Sequence, residues 1–168
     1  MRWFAISGSW READERVKAD VERAVRKIVV DGDGIVTGGA LGVDAFATQV
    51  VLEEGDPARQ LIIFLPIPFD AYCRHMERRC GEGVITEAQR DLIISQLSEV
   101  RERSPACISD ESGYTKAGKE SYYARNTTIV EQADELFAFQ VNGSKGTQDA
   151  IDKARDFGKP VSLWTYTV

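Results

Sequence analysis

Three short glycine-bearing turns hold the clearest chemistry in this sequence: Gly8-Ser9, Gly38-Gly39-Ala40-Leu41-Gly42 and Gly143-Ser144-Lys145-Gly146-Thr147. Each follows an apolar run, and the last two open directly into helical patterns. Glycine lets a backbone approach a ligand closely, and the free N–H groups of a helix's first turn hold an anion. Thr147 adds a hydroxyl donor. The set points to a phosphate cradle built from Gly8, Ser9, Gly38, Gly39, Gly143, Ser144, Gly146 and Thr147. One such turn alone is equally well an ordinary strand-to-helix connection; three along one edge make the argument. The turns match neither known glycine-rich phosphate fingerprint. Gly8-Ser9 lacks the glycines a dinucleotide motif requires, and Gly143 to Thr147 has the wrong order for a Walker loop.

A charged partner for the same anion lies in Tyr122-Tyr123-Ala124-Arg125-Asn126. The Arg125 fork can bind two oxygens at once, and Asn126 can read a base or ribose. Other constellations are weaker. Cys73, His75 and Cys80 match no common zinc spacing and lack a fourth ligand, so no metal is expected. The reading is inert thiols with His75 exposed in a loop. No G-x-S-x-G elbow is present for a serine nucleophile. Tyr72 and Tyr114 are aromatic candidates for stacking at a pocket mouth, with ordinary packing as the plainer role. Asp44 falls in a first helical turn, where a carboxylate suits the helix dipole.

The elements that must position these groups alternate. Trp3–Ser7 reads as a strand, residues 12–30 as an amphipathic helix, and Ile35–Thr37 as a second strand. A helix begins near Leu41 and is broken by Gly55-Asp56-Pro57. Leu61–Leu65 is an unbroken apolar run, as expected for a strand covered on both faces. A short helix over 70–79 and a capping box at Thr86-Glu87-Ala88-Gln89 follow, then a helix to about Arg103. Ala106–Ile108 reads as a fourth strand, and 110–119 as a mobile polar loop that ligand binding would order. A helix over 120–133, a strand over 135–141, a helix after Gly146 and a last strand over 161–166 complete the order. This alternation implies one domain over 1–168. The expected fold is a three-layer, Rossmann-like α/β architecture, with an open, mostly parallel sheet and helices on both faces. Ligands in such sheets bind at the carboxyl edge, near the switch in strand order.

Composition narrows the partners. The 168 residues carry 21 Lys and Arg against 27 Asp and Glu, a net charge of -6. That balance disfavours duplex DNA, whose binding draws on a broad basic surface. It leaves room for a small anion in a local basic cluster, for which Lys116, Lys119, Arg125 and Lys145 are the candidates. No apolar run reaches the length of a membrane span, and Met1 to Gly8 lacks the form of a signal peptide. Three Cys residues suit a reducing cytoplasm rather than a disulfide framework.

Three segments together resemble the SLOG superfamily, which joins Smf/DprA-type and LOG-type (lysine-decarboxylase-like) proteins. They are Ile6-Ser7-Gly8-Ser9, Val36 to Asp44, and Ala124-Arg125-Asn126 through to Thr147; Gly158-Lys159-Pro160-Val161 also fits. The likeness covers both ends of the chain and leaves 66–119 as a variable, insertion-like segment. It implies a Rossmann-like fold that binds a nucleotide or related phosphorylated ligand, with no further cofactor and with a homodimer by analogy.

Two branches differ in what they demand. LOG-type phosphoribohydrolases carry P-G-G-x-G-T-x-x-E. Here Asn142 replaces the Pro, Ser144 a Gly, and Ala150 the Glu that would assist N-glycosidic cleavage. A hydrolase or deoxyribosyltransferase would need another carboxylate, with Glu120, Asp149 and Asp44 as candidates. DprA-type proteins share the Gly-Gly-Ala-x-Gly-Val-Asp pattern and the Arg–Asn pair. They bind single-stranded nucleic acid, which requires a positive groove and stacking aromatics; Arg74, Arg78, Arg79, Lys116, Lys119, Tyr122 and Tyr123 are the candidates for a modest version, and the net charge of -6 weighs against it.

Overall fold

The computed structural model describes residues 1–168. Six strands form a single, wholly parallel sheet in the order β4-β3-β2-β1-β5-β6. The strands are β1 (Trp3–Gly8), β2 (Gly34–Thr37), β3 (Leu61–Phe64), β4 (Ile108–Ser109), β5 (Glu135–Val141) and β6 (Val161–Tyr166). The helices are α1 (Glu15–Val30), α2 (Val43–Glu54), α3 (Pro57–Gln60), α4 (Phe69–Gly81), α5 (Glu87–Arg103), α6 (Lys119–Gln132) and α7 (Lys145–Asp156).

The sheet separates two apolar cores by the period-2 alternation of its strands. Phe4 and Ile6 point to one face, where they join Val17, Val21 and Val25 of α1, Val50 and Val51 of α2, and Ile93 and Leu97 of α5. Ala5 points to the other, with Leu136 and Ala138 of β5, Ile129 and Val130 of α6, and Ala150, Ile151 and Ala154 of α7. The second core is rich in alanine, so α6 and α7 lie close against the sheet. Lys159 closes the end of α6, its ammonium donating to the carbonyls of Val130, Glu131 and Ala133, where a cation suits the helix dipole.

Several local expectations shift by a turn or less. Helix α1 starts at Glu15, not Glu12, because the Asp14 side chain caps it by accepting from the Arg16 and Val17 N–H groups. The capping box at Thr86 and Gln89 is present and starts α5. Pro57 opens the short α3, which was not expected, with Asp56 as its cap. The fourth strand is displaced. Pro105–Cys107 forms a 3-10 turn, and the strand is Ile108–Ser109; Pro105 cannot donate to a ladder, so pairing begins beyond it. The polar segment 110–118 is pinned at two points. Asp110 Oδ2 accepts from the Phe69 N–H at 2.8 Å, and Ser112 Oγ donates to the Pro66 carbonyl at 2.6 Å. No helix is long and apolar enough to cross a membrane.

Candidate functional site

Strand order reverses beside β1: the chain runs outward through β2, β3 and β4, then returns to place β5 on the other side of β1. The carboxyl ends of β1 and β5 therefore diverge, and a crevice opens between the turns that follow them. A pocket of about 530 Å³ lies there. Its wall includes Ile6, Ser7 and Gly8 at the end of β1, with Trp10 and Arg11 after it; Ala40, Leu41 and Asp44 after β2; and Ser144, Gly146, Thr147 and Ala150 after β5.

The start of α7 supplies the anion-binding end. Asn142 and Gly143 both have positive φ, 49° and 65°, and the Ser144 N–H donates to the Val141 carbonyl at 3.0 Å. The tight turn hands the chain to α7 at Ser144. No acceptor in the protein takes the N–H groups of Lys145, Gly146 and Thr147. Gly146 has open space where a Cβ would stand. Thr147 Oγ1 lies 3.3 Å from Ser144 Oγ. Asn126 braces the same turn: its Nδ2 donates to the Gly146 carbonyl at 3.3 Å and to Asp149 Oδ2 at 3.0 Å. Both amide hydrogens are thus spent on α7, leaving Oδ1 as the atom able to meet a ligand.

Gly38 ties the acidic and basic groups of the site together. Its N–H donates to Asp44 Oδ2 at 3.0 Å, and the Ala40 N–H joins at 3.3 Å. Its carbonyl accepts from Arg125 Nη1 at 2.8 Å. A Cβ on Gly38 would sit 2.6 Å from Arg125 Nε, so only glycine leaves room for the guanidinium. Arg125 Nε is buried without a partner, and the guanidinium carbon lies 5.2 Å from the Tyr122 ring centre. Burial raises the Asp44 pKa, opposed by the neighbouring Arg125 charge and the two backbone donors.

Helices α4 and α6 form the opposite wall. Tyr72, His75, Met76 and Arg79 project from α4, and Lys119, Tyr122, Tyr123, Arg125 and Asn126 from α6. Tyr72 is fully buried and donates to the Gly39 carbonyl at 3.0 Å, so it supports the Gly38-Gly39 turn. Tyr114 is exposed and lies outside the wall. His75 is not in an exposed loop. It is 9% exposed on α4, because the α4 face that covers the core includes it beside Tyr72 and Met76. Cys73 and Cys80 are half-buried free thiols. No group of three His, Cys, Asp or Glu side chains is placed to hold a metal ion.

Burial, followed by the Arg78 and Arg79 charges, lowers the His75 pKa from its ordinary 6.5. Below 6.5 the unfolded chain then binds the proton that the folded chain refuses. Stability must rise with pH through the window just below 6.5 and fall on acidification. His75→Gln is expected to flatten that part of a melting-temperature profile; an unchanged slope would count against the assignment.

The candidate residues divide. Gly8, Asp44, Arg125, Asn126, Ser144, Gly146 and Thr147 meet in one wall. Ser9, Gly38, Gly39 and Gly143 stand behind it as supports. Ser9 is buried, and its carbonyl accepts from the Val43 N–H at 3.3 Å. Glu120 is exposed and outside the wall. Asp149 is also outside it and is ion-paired to Lys153 at 2.8 Å. Ala150 does face the pocket, so a methyl stands where the LOG-type motif carries its glutamate. Of the four expected cations only Lys119 and Arg125 reach the wall; Arg11 and Arg79 replace Lys116 and Lys145. The wall thus carries four cations and one carboxylate, Asp44, in a chain of net charge -6. Arg79 is paired to Glu82 at 3.0 Å, whereas Arg11, Lys119 and Arg125 have no carboxylate within ion-pair distance.

Of the α4 contribution, the sequence offers Tyr72 and Arg79 as ligand-facing candidates but not His75 and Met76, yet all four have the spacing i, i+3, i+4, i+7 of one helical face. Tyr122, Arg125, Asn126 and Ile129 repeat it on α6.

No family model matches the chain, and no curated protein does. Solved structures do. The single-stranded-DNA-binding DNA processing protein A from Helicobacter pylori superposes with a TM-score of 0.67 at 21% identity, over 96% of this chain and 64% of its own. The molybdenum cofactor binding protein from Rippkaea orientalis gives 0.60 at 18% identity, over 98% and 76%. The molybdenum cofactor carrier protein from Chlamydomonas reinhardtii gives 0.59 at 17%, over 97% and 76%. The chain thus spans less than two thirds of the DNA processing protein. Its fold is the Rossmann-like fold that these structures share.

Proposed function

We propose that this protein binds a small anionic ligand of the nucleotide type in the crevice between β1 and β5. One observation carries the reading: the wall gathers Arg11, Arg79, Lys119 and Arg125 against the single carboxylate of Asp44, facing the unpaired N–H groups that open α7. A helix N-terminus and unpaired guanidinium groups together select negative charge. Trp10, Tyr122 and Tyr123 supply flat surfaces for a ring system. A single strand of nucleic acid asks for an open positive track, whereas these cations converge on one recess. The molybdenum cofactor bound by two of the structural neighbours is a further member of the ligand class to be tested.

Thermal denaturation with nucleoside monophosphates, ADP-ribose and cyclic nucleotides tests the reading. A ligand at a hundred times its Kd adds about 2.7 kcal/mol. For a chain of this length that is a rise of roughly 5–10 °C in Tm. No rise with any phosphorylated ligand at millimolar concentration would remove the reading. Chromatography of the same mixtures separates binding from cleavage. Release of free base would transfer the function to N-glycosidic hydrolysis, with Asp44 as the carboxylate at the reacting bond.

A further inference from the structure

Tyr122 and His75 make a contact that the anion site does not use. His75 Nδ1 lies 2.9 Å from Arg78 Nη2, and His75 Nε2 lies 3.1 Å from Tyr122 Oη. The proton positions follow from chemistry. A guanidinium can only donate, so Nδ1 must accept. The neutral ring then carries its hydrogen on Nε2, and that hydrogen is donated to Tyr122 Oη. The Tyr122 hydroxyl hydrogen therefore turns away from His75, and no acceptor in the protein takes it. Burial raises the Tyr122 pKa, so the phenol keeps its proton. Both rings line the pocket, on the wall built by α4 and α6.

We infer that Tyr122 is a specificity-determining residue whose hydroxyl donates to an acceptor atom on the uncharged, ring-bearing part of the ligand, and that His75 is the positioning residue that fixes the direction of that donor. The inference rests on the proposed anionic ligand and names what recognises its other end. Arg78 holds the imidazole in one tautomer, and the imidazole holds the phenol in one orientation. A ring carbonyl or an unprotonated ring nitrogen is accepted there. An amino group in that place would leave two donors facing each other, which a buried site penalises.

The test uses the whole chain and simple probes. Dissociation constants are measured by calorimetry at neutral pH for ribose 5-phosphate and for AMP, GMP, CMP and UMP. The readout is the ratio of the ribose 5-phosphate Kd to that of the tightest nucleotide, which isolates what the base contributes. In Tyr122→Phe this ratio should fall about fivefold, the worth of one ordinary hydrogen bond. His75→Leu should lower it similarly, while His75→Gln, whose amide can still donate to the phenol, should restore it. An unchanged ratio in Tyr122→Phe overturns the inference. So does an equal loss in His75→Leu and His75→Gln, which would mark His75 as a packing residue only. If the wild type binds ribose 5-phosphate and the nucleotides equally, the inference falls and the anion site stands. If the wild type binds none of the five, the anion site itself falls.

Discussion

Arg125→Leu should reduce affinity for a phosphorylated ligand about 100-fold, the largest loss expected from any one side chain here. A hydrogen bond to a charged group is worth about 1.5–3 kcal/mol, and a desolvated charge pair more. Arg125 is half-buried with its Nε unpartnered, and its Nη1 is held on the Gly38 carbonyl. The fork is therefore fixed before any ligand arrives and loses little freedom on binding. The same change removes the charge that opposes the burial-raised pKa of Asp44. The sign follows directly. With Arg125 gone the Asp44 pKa rises further above 3.8, the folded chain binds more protons than the unfolded one, and stability is lost as pH climbs through that widened window. Arg125→Leu with Asp44→Asn should recover stability at neutral pH without recovering binding. Calorimetric titration and melting curves on the two variants check both halves. Wild-type affinity in Arg125→Leu would show that the anion lies elsewhere.

Gly42→Ala should cost about 3 kcal/mol or more, a fall of roughly 6–12 °C in Tm. Gly42 has φ 70° and ψ -126°, a backbone state that residues with a Cβ reach only under strain. An added Cβ would stand 2.4 Å from the Ser9 carbonyl oxygen and 2.7 Å from the Trp10 Cα. Both are backbone atoms and cannot rotate away. The turn after β1 rests on the first turn of α2 at this point, where the Val43 N–H donates to the Ser9 carbonyl. Relief of the clash would push Trp10 and Arg11 outward, so the binding site should suffer along with stability. Melting curves read the first effect, and titration with the tightest nucleotide reads the second. A melting temperature within a degree or so of wild type would remove the argument.

The parts of the site that were legible before folding are those where backbone geometry allows few residue types. Gly38, Gly39, Gly42 and Gly143 mark turns where close approach or a positive φ excludes other side chains. Such constraints are local and survive in the sequence as a pattern. Strand alternation was equally plain for Ile35–Thr37 and Leu61–Leu65, because a parallel sheet covered on both faces requires unbroken apolar runs. The place of His75 in the α4 wall was not legible, for a different reason. His75 is buried by Tyr72, Met76 and the facing Tyr122 of α6, a relation between residues 47 apart in the chain. A histidine on a charged, short helix gives no local sign of such a partner. Of the three acidic candidates Asp44 lines the pocket, while Glu120 and Asp149 do not. Asp149 and Ala150 are adjacent, yet one step along a helix turns a side chain by about 100°, and it is Ala150 that meets the pocket.

Strand β6 has a consequence for colloidal behaviour. It is an edge strand of six residues, Val161-Ser162-Leu163-Trp164-Thr165-Tyr166, paired only to β5. No charged side chain interrupts it, and Leu163 is 42% exposed. Edges of that kind are usually blunted by lysine, proline or a bulge, since their free N–H and C=O groups can template another chain. Protection here falls to mutual repulsion of molecules carrying a net charge of -6. That repulsion vanishes near the isoelectric point of about 4.9. Mild acid therefore removes the electrostatic barrier and leaves the β6 edge as the first place where two molecules adhere.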